Sequence, residues 1–299
     1  MEFLTVKGLR KKFGEVEALG GLDMSVFQGE IYGFLGPNGA GKTTTLRIIM
    51  GLIQADEGTM ELEGEKIGRQ SRKKMGYVPE RVSLYERLTV KENLTFFCKL
   101  KGYDKSEVLS IINEFNLEPI SDRTVQTLSK GVKQKVGLAQ TLIGDPPLLV
   151  LDEPISGLDP TVRRWVKKKM QELTGEDKTI LFSSHVLSEV QEVCNRVGII
   201  SNGKMLMENT ISDLTEGLEL GDRVVLTAEP LDKALHFVKK VKNTNRPRIE
   251  NGDIVFYCKR KNKIDILKQV MSGGYRVLDI KIQEPDLEEV FVKLMEAER

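Results

Sequence analysis

Eight consecutive residues, Gly36-Pro37-Asn38-Gly39-Ala40-Gly41-Lys42-Thr43, follow a short apolar run at 31–35 and open an amphipathic stretch at 42–50. Glycines at the first, fourth and sixth positions let successive backbone N–H groups turn inward around phosphate oxygens, and a helix N-terminus adds partial positive charge. Lys42 is spaced to reach β- and γ-phosphates, and the Thr43 hydroxyl to hold Mg²⁺. A nucleoside triphosphate is the implied ligand. Gly36, Asn38, Gly39, Ala40, Gly41, Lys42, Thr43 and Thr44 are the candidate binding residues.

A second constellation lies downstream. Leu148-Leu149-Val150-Leu151 ends in Asp152 and Glu153, and an apolar run of this kind reads as a buried strand with its carboxylate at the carboxyl end of a sheet. Asp152 would help hold Mg²⁺. Glu153, one residue further on, would orient or deprotonate the water that attacks the γ-phosphate. The blander alternative, that the pair only ends a strand before Pro154, is weakened by the separate phosphate loop.

These groups need a scaffold, and the sequence supplies a βα alternation. Short strands are predicted at 3–6, 21–26, 31–35, 58–62, 75–78, 148–151, 179–182 and 197–201. Helices are predicted at 42–50, 91–101, 105–116, 131–144, 161–173 and 186–194, so the middle of the chain is helix-rich. After about residue 212 the phosphate-type motifs stop. Strands at 223–228, 254–259 and 275–281 alternate there with helices at 231–241 and 263–271, which reads as a small separate α+β domain. Pro285 precedes a short amphipathic helix at 287–295 that could dock on either domain.

Composition removes several classes of function. The 299 residues carry 45 Lys+Arg against 44 Asp+Glu, with 40% apolar and 30% charged residues, enough for one large or two modest cores and unlike a disordered or fibrous chain. A net charge of +1 provides no long-range field of the kind that draws in nucleic acid, so nucleic acid is not an expected partner. No apolar run approaches the roughly 18 to 20 residues needed to span a bilayer. The opening Met1-Glu2-Phe3-Leu4-Thr5-Val6-Lys7 lacks a secretory leader, and a cytoplasmic location is expected. Cys98, Cys194 and Cys258 are widely spaced without CxxC, as suits packed, reduced thiols. Basic clusters at 239–248 and 259–263 read first as solvated faces, with anionic lipid or a partner as the sharper alternative.

Between the two constellations stand Leu128-Ser129-Lys130-Gly131-Val132-Lys133-Gln134, and after them Ser156-Gly157-Leu158-Asp159 and Ser183-Ser184-His185. With the phosphate loop and Leu151-Asp152-Glu153-Pro154, in this order, the chain resembles the nucleotide-binding subunit of ATP-binding cassette (ABC) transporters over about residues 2–215. The resemblance implies an α/β fold of the ABC type of P-loop NTPase, with a mixed sheet core and a helical subdomain at about 88–145. It would form the ATP-binding domain at 1–215, beside the small α+β accessory, dimerisation or regulatory domain at 220–299.

The resemblance also implies Mg²⁺-dependent ATP hydrolysis in a head-to-tail dimer of two copies, with ATP between the phosphate loop of one and the signature loop of the other. On that scheme Ser129 and Gly131 contact the γ-phosphate across the interface and Asp159 links the two sites. His185 bonds the γ-phosphate and fixes the attacking water near Glu153, and Phe13 stacks on adenine. An isolated Phe is usually a core residue, and it is the family pattern that turns the reading of Phe13 toward stacking.

Two departures from the family pattern stand out. Glu80, in Gly76-Tyr77-Val78-Pro79-Glu80, occupies the place of the usual Gln that senses Mg²⁺ and the attacking water. The extra charge should repel metal-free nucleotide and steepen the Mg²⁺ dependence. Lys130 and Val132 replace a small Gly and a Gln in the signature. Together with the appended domain, these departures resemble the branch serving bacterial drug, antibiotic-peptide, sodium and polysaccharide exporters, whose permease is a separate chain. The implied location is peripheral, on the inner face of the cell membrane through that permease. Leu84, Tyr85 and Leu88 would meet its cytoplasmic helix or lie buried beneath the helices; both readings stand. The competing functions are a soluble ABC ATPase acting on a nucleic-acid or ribosomal assembly, and a module that senses ATP and scarcely hydrolyses it.

Overall fold

Alternating buried and exposed side chains build the long hairpin with which the chain starts. Strand β1 (Glu2–Phe13) pairs antiparallel with β2 (Val16–Phe27), and Leu4, Val6, Leu9, Leu19, Leu22, Met24 and Val26 turn into the core. Both strands run past the apolar segments expected at 3–6 and 21–26. Arg10, Lys11 and Lys12 continue the ladder opposite Gly20, Leu19 and Glu17. Their charges hide the strand from a hydropathy reading, while ion pairs such as Lys11 to Asp56 at 2.7 Å hold the exposed end.

The structure, a computed structural model, describes residues 1–211, 213, 222–259 and 262–283. It divides into two units, Met1–Asn209 and Thr210–Arg299. In the first unit the hairpin leads to β3 (Ile31–Leu35), helix α1 (Lys42–Ile49), β4 (Glu57–Leu62) and β5 (Glu65–Lys66). One sheet has the order β2-β1-β4-β5. Next come β6 (Met75–Val78), then α2 (Val90–Lys101), α3 (Ser106–Glu114) and α4 (Lys130–Thr141), which are the helix-rich middle. The chain returns through β7 (Leu148–Leu151), α5 (Pro160–Gly175), β8 (Thr179–Ser184), α6 (Leu187–Gln191), β9 (Arg196–Ser201) and β10 (Lys204–Thr210).

The second sheet has the order β10-β9-β3-β8-β7-β6, and its pairs from β9 to β6 are parallel. Every residue of β3, β7 and β8 is buried. That is why these strands are largely apolar and not alternating: elements cover both faces of a parallel sheet. The carboxyl ends of β3, β7 and β8 therefore lie side by side, and the loops leaving them carry the phosphate motif, Asp152-Glu153 and His185.

Local chemistry sets the helix starts. Thr89 and Glu92 form a reciprocal capping box at α2, Ser129 caps α4, and Asp159 caps α5 with Pro160 in its first turn, each satisfying N–H groups that a helix leaves unpaired. The helix expected at 186–194 shrinks to Leu187–Gln191, because Val186 is extended and its N–H is taken by the Ser184 side chain at 3.0 Å.

In the second unit, β11 (Asp222–Glu229), α7 (Leu231–Val238), β12 (Asn245–Glu250), β13 (Asp253–Cys258), α8 (Lys263–Met271) and β14 (Arg276–Gln283) follow in a βαββαβ order. The antiparallel sheet runs β12-β13-β11-β14, the ferredoxin-like arrangement. Val224, Leu226, Ile254 and Phe256 on the sheet pack with Ala234, Val238, Ile266 and Val270 of the two helices. Strand β12 was not expected from its residues. Pro247 and three charged side chains mask it, and Pro is tolerated because β12 is an edge strand. The helix expected at 287–295 lies outside the described residues. Among those described, no helix is long and apolar enough to cross a membrane.

Candidate active site

The phosphate loop leaves β3 at Gly36, whose N–H donates to the Ser184 carbonyl at 3.2 Å. A side chain there would meet the Ile200 carbonyl oxygen at 2.4 Å, so the backbone passes where only glycine fits. Gly41 closes the loop at φ +107 and is the N-terminal cap of α1, with no side chain bonded to the first N–H groups of that helix. Those donors, and the positive end of the helix, are thereby left for an anion. Lys42 is nearly fully buried; its ammonium donates to the Gly36 carbonyl at 2.6 Å and the Pro37 carbonyl at 3.1 Å. Burial lowers its pKa below the usual lysine value, and the nearby carboxylates of Glu153, Asp152 and Glu80 oppose that shift.

Asp152 continues the sheet beyond β7, its N–H donating to the Val78 carbonyl at 2.8 Å. Its side chain is wholly buried, and Oδ1 accepts from Thr43 Oγ1 at 3.1 Å and from Ser183 Oγ at 2.8 Å. Burial raises this carboxyl above its ordinary pKa, with the Ser183 and Thr43 hydrogen bonds pulling the other way. Its Oδ2 has no hydrogen-bond partner. A buried, unpartnered carboxylate oxygen beside a threonine hydroxyl is a hard-oxygen donor set, and it fits Mg²⁺. Among the described residues no cluster of three or more His, Cys, Asp and Glu forms a metal cage.

Glu153 sits in the left-handed region at φ +49, an uncommon conformation for a residue with a long side chain. Its N–H donates to Ser183 Oγ at 2.9 Å. Of its carboxylate oxygens, Oε1 is 3.5 Å from Lys42 Nζ and Oε2 is 2.9 Å from His185 Nδ1. Nδ1–H donating to the carboxylate leaves Nε2 as the ring nitrogen not engaged by Glu153.

These groups line one cleft of about 560 Å³, to which Asn38, Gly39, Gly41, Lys42, Thr43, Thr44, Glu80, Glu153 and His185 contribute. Ser156 and Ala18 also line it; no sequence reasoning singled them out as binding residues. Gly36 and Ala40 lie buried in the loop's own turn, where the Ala40 N–H donates to the Pro37 carbonyl at 3.2 Å. Asp152 is beneath the cleft, bonded to Thr43.

Four predicted residues are placed elsewhere. Ser129 is exposed, its Oγ accepting from the Val132 N–H at 3.4 Å. Gly131 packs on α5, where an added side chain would meet Val162 at 2.8 Å. The Asp159 carboxylate accepts from the Thr161 and Val162 N–H groups at 3.0 Å each. Phe13 is half-exposed, with Lys11 Nζ 5.5 Å from its ring centre. Ser183 is the residue sequence reasoning missed. Its one signal is a pair of hydroxyls closing the otherwise apolar run of β8 just before His185.

The ABC transporter family pattern matches residues 19–156. The linearmycin resistance ATP-binding protein LnrL of Bacillus subtilis is 31% identical over 97% of both chains. The Nod factor export ATP-binding protein I of Ralstonia nicotianae is 32% identical over 97% of this chain and 93% of that one. Among solved structures, an ATP-binding subunit of an ABC transporter superposes with a TM-score of 0.65 at 31% identity, over 72% of this chain and 92% of its own. A nucleotide-free ATP-binding cassette gives 0.65 at 27%, over 70% and 92%. Likeness along almost the whole length of an ATP-binding protein, joined to a phosphate loop facing Asp152, Glu153 and His185, means that this chain belongs to the ATP-binding proteins of ABC transporters.

Proposed function

We propose that this chain is the ATP-hydrolysing subunit of an exporter whose membrane path is a separate permease chain. The observation that carries the reading is Glu153, held between Lys42 and His185 at the rim of the phosphate-loop cleft. A carboxylate beside the cation expected to bind the γ-phosphate is where a general base must stand to activate water in line with that phosphorus. Loop N–H groups and Lys42 would bind the phosphates, and His185, with Nδ1–H on Glu153, would donate from Nε2 to the γ-phosphate and its developing charge in the imidazolium form, where both ring nitrogens carry a proton. Thr43 and Asp152, with Glu80 nearby, would hold Mg²⁺, whose contribution is to neutralise phosphate charge.

The remaining roles concern assembly. In a head-to-tail dimer of two copies, Ser129 and Gly131 at the start of α4 serve the partner's nucleotide, Asp159 joins the two sites, and Phe13 stacks on adenine. Residues 1–215 are then the ATP-binding domain, with its helical part at about 88–145, and 220–299 an accessory domain for dimerisation or regulation. The permease would meet the surface of α2. Tyr85 and Phe96 are exposed there with ring centres 4.8 Å apart, and Leu84 and Leu88 are partly exposed beside them. The exporter reading draws on the relatives named for linearmycin resistance and Nod factor export. On this reading the chain is peripheral to the inner face of the cell membrane.

The test is to tag the chain in its native cell, solubilise the membranes mildly and identify what co-purifies, beside an assay of ATP hydrolysis. A stoichiometric polytopic membrane protein and Mg²⁺-dependent turnover are expected. Recovery of ribosomal or DNA-bound proteins alone would overturn the transport part and leave the ATPase.

A further inference from the structure

We propose that Ser183 is the positioning residue that sets the two carboxylates of this site at once, a proposal that rests on the reading of Asp152 and Glu153 given above. Its Oγ–H donates to Asp152 Oδ1 at 2.8 Å and its oxygen accepts the Glu153 N–H at 2.9 Å. One hydroxyl therefore spans two consecutive residues with different tasks. A serine has a single proton and two lone pairs, so neither bond can be reversed. The proton goes to the carboxylate, which has none to give when ionised, and the lone pair takes the amide.

Three consequences follow from that arrangement. With Ser183 and Thr43 both donating to Oδ1, the Asp152 ring of donors is one-sided, and Oδ2 is the oxygen left for a metal. The Glu153 amide is tied down where the backbone adopts φ +49, a conformation that persists only when its surroundings fix it. The tie also comes from a rigid element, because Ser183 is wholly buried in β8, which pairs with β3 on one side and β7 on the other. Ser183 touches neither nucleotide nor water in this scheme. It acts through the groups that do, as outer partners of metal ligands commonly act.

The experiment uses the full chain and three variants, Ser183→Ala, Ser183→Cys and Ser183→Thr. Cysteine nearly keeps the shape but donates weakly, so it separates loss of the hydrogen bonds from loss of volume. ATP binding is measured by equilibrium dialysis in EDTA and in Mg²⁺, and kcat and KM for ATP in Mg²⁺. For the Ala and Cys variants we expect unchanged affinity in EDTA, since the phosphate loop is untouched. The gain in affinity brought by Mg²⁺ should shrink about tenfold and kcat should fall about 10- to 100-fold, with KM moving far less. Ser183→Thr should restore both.

Parental Mg²⁺ gain and kcat in Ser183→Ala and Ser183→Cys would overturn the proposal. So would affinity lost equally in EDTA and in Mg²⁺, which marks general damage and not positioning. A parent that binds Mg²⁺-ATP without hydrolysing it would instead overturn the assignment of Glu153 as base, and the Mg²⁺ dependence of binding would still decide the role of Ser183.

Discussion

His185 Nδ1 lies 2.9 Å from Glu153 Oε2, so the imidazole is oriented by the carboxylate it is expected to assist. The pair is held inside one protein unit, with the other oxygen of Glu153 3.5 Å from Lys42 Nζ. A base tethered on both sides needs little rearrangement when substrate arrives. Removing its charge while keeping its shape should then affect chemistry more than binding. Glu153→Gln is expected to lower kcat about 10²- to 10⁴-fold, the usual worth of a positioned general base. ATP affinity should stay within a few-fold of the parent. Single-turnover hydrolysis measured beside ATP binding checks both; turnover as fast as the parent's would remove Glu153 from the role.

Lys42 is expected to carry the pH dependence of nucleotide capture. Burial holds its ammonium below the ordinary lysine pKa of 10.5 in the free protein, and a bound triphosphate favours the charged form. Bound ATP therefore raises the pKa that burial had lowered. ATP affinity should fall as pH rises through the lowered pKa, before the ordinary lysine range, and binding in that window should take up a proton. Calorimetry in two buffers of different ionisation enthalpy measures the uptake. A Lys42→Met variant should lose both the proton uptake and about 10-fold or more in affinity, the scale of one charge-assisted hydrogen bond.

On the proposed reading, Asp152 gives up stability to hold Mg²⁺. Its pKa is raised by burial, so its effect on stability is most favourable at acid pH, where the carboxyl is protonated, and is lost as pH rises through the raised pKa. At neutral pH the charge is a cost. Asp152→Asn, which removes the buried charge, should make the stability less pH-dependent, while abolishing Mg²⁺-dependent hydrolysis. Urea denaturation at two pH values is the check.

Glu80 adds a negative charge to a cleft that already contains Glu153 and lies over Asp152. It should repel triphosphate more strongly without Mg²⁺ than with it. Glu80→Gln is therefore expected to tighten ATP binding in EDTA by about 3- to 10-fold, the scale of one unit charge about 4 Å away when bulk water screens it, and to leave binding in Mg²⁺ nearly unchanged. Equal changes in both conditions would defeat this account.

Gly131 has a packing reason as well as a proposed phosphate contact. A methyl group there would press on Val162 at 2.8 Å, and overpacking of that kind costs about 1–3 kcal/mol. Gly131→Ala should lower the melting temperature, and Val162→Ala added to it should restore most of the loss. ATP hydrolysis that returns with stability would assign the glycine to packing alone; hydrolysis that stays lost would support the contact with the partner's nucleotide.

The chemistry was legible in the sequence because it depends on short contiguous patterns. Gly36 to Thr43 encodes its own turn and helix start, and the apolar run ending in Asp152 and Glu153 announces a buried parallel strand with acids at its end. Capping residues such as Thr89, Ser129 and Asp159 likewise mark their helices locally. The strands hidden from it were those whose residues obey a different rule. The end of β1 is charged because it is exposed, and β12 contains Pro247 because it is an edge.

Which side chains meet was decided only by the fold. Parallel pairing of β3, β8 and β7 brings Gly36, Ser183 and Asp152 together from three separate segments of the chain, and no local pattern records that register. A buried serine reads as an ordinary strand residue until the ladder sets it between the Asp152 carboxylate and the Glu153 amide. The Glu153–His185 bond has the same origin. Contiguous motifs fix which chemistry is available, whereas hydrogen-bond register between distant strands fixes which groups share a proton.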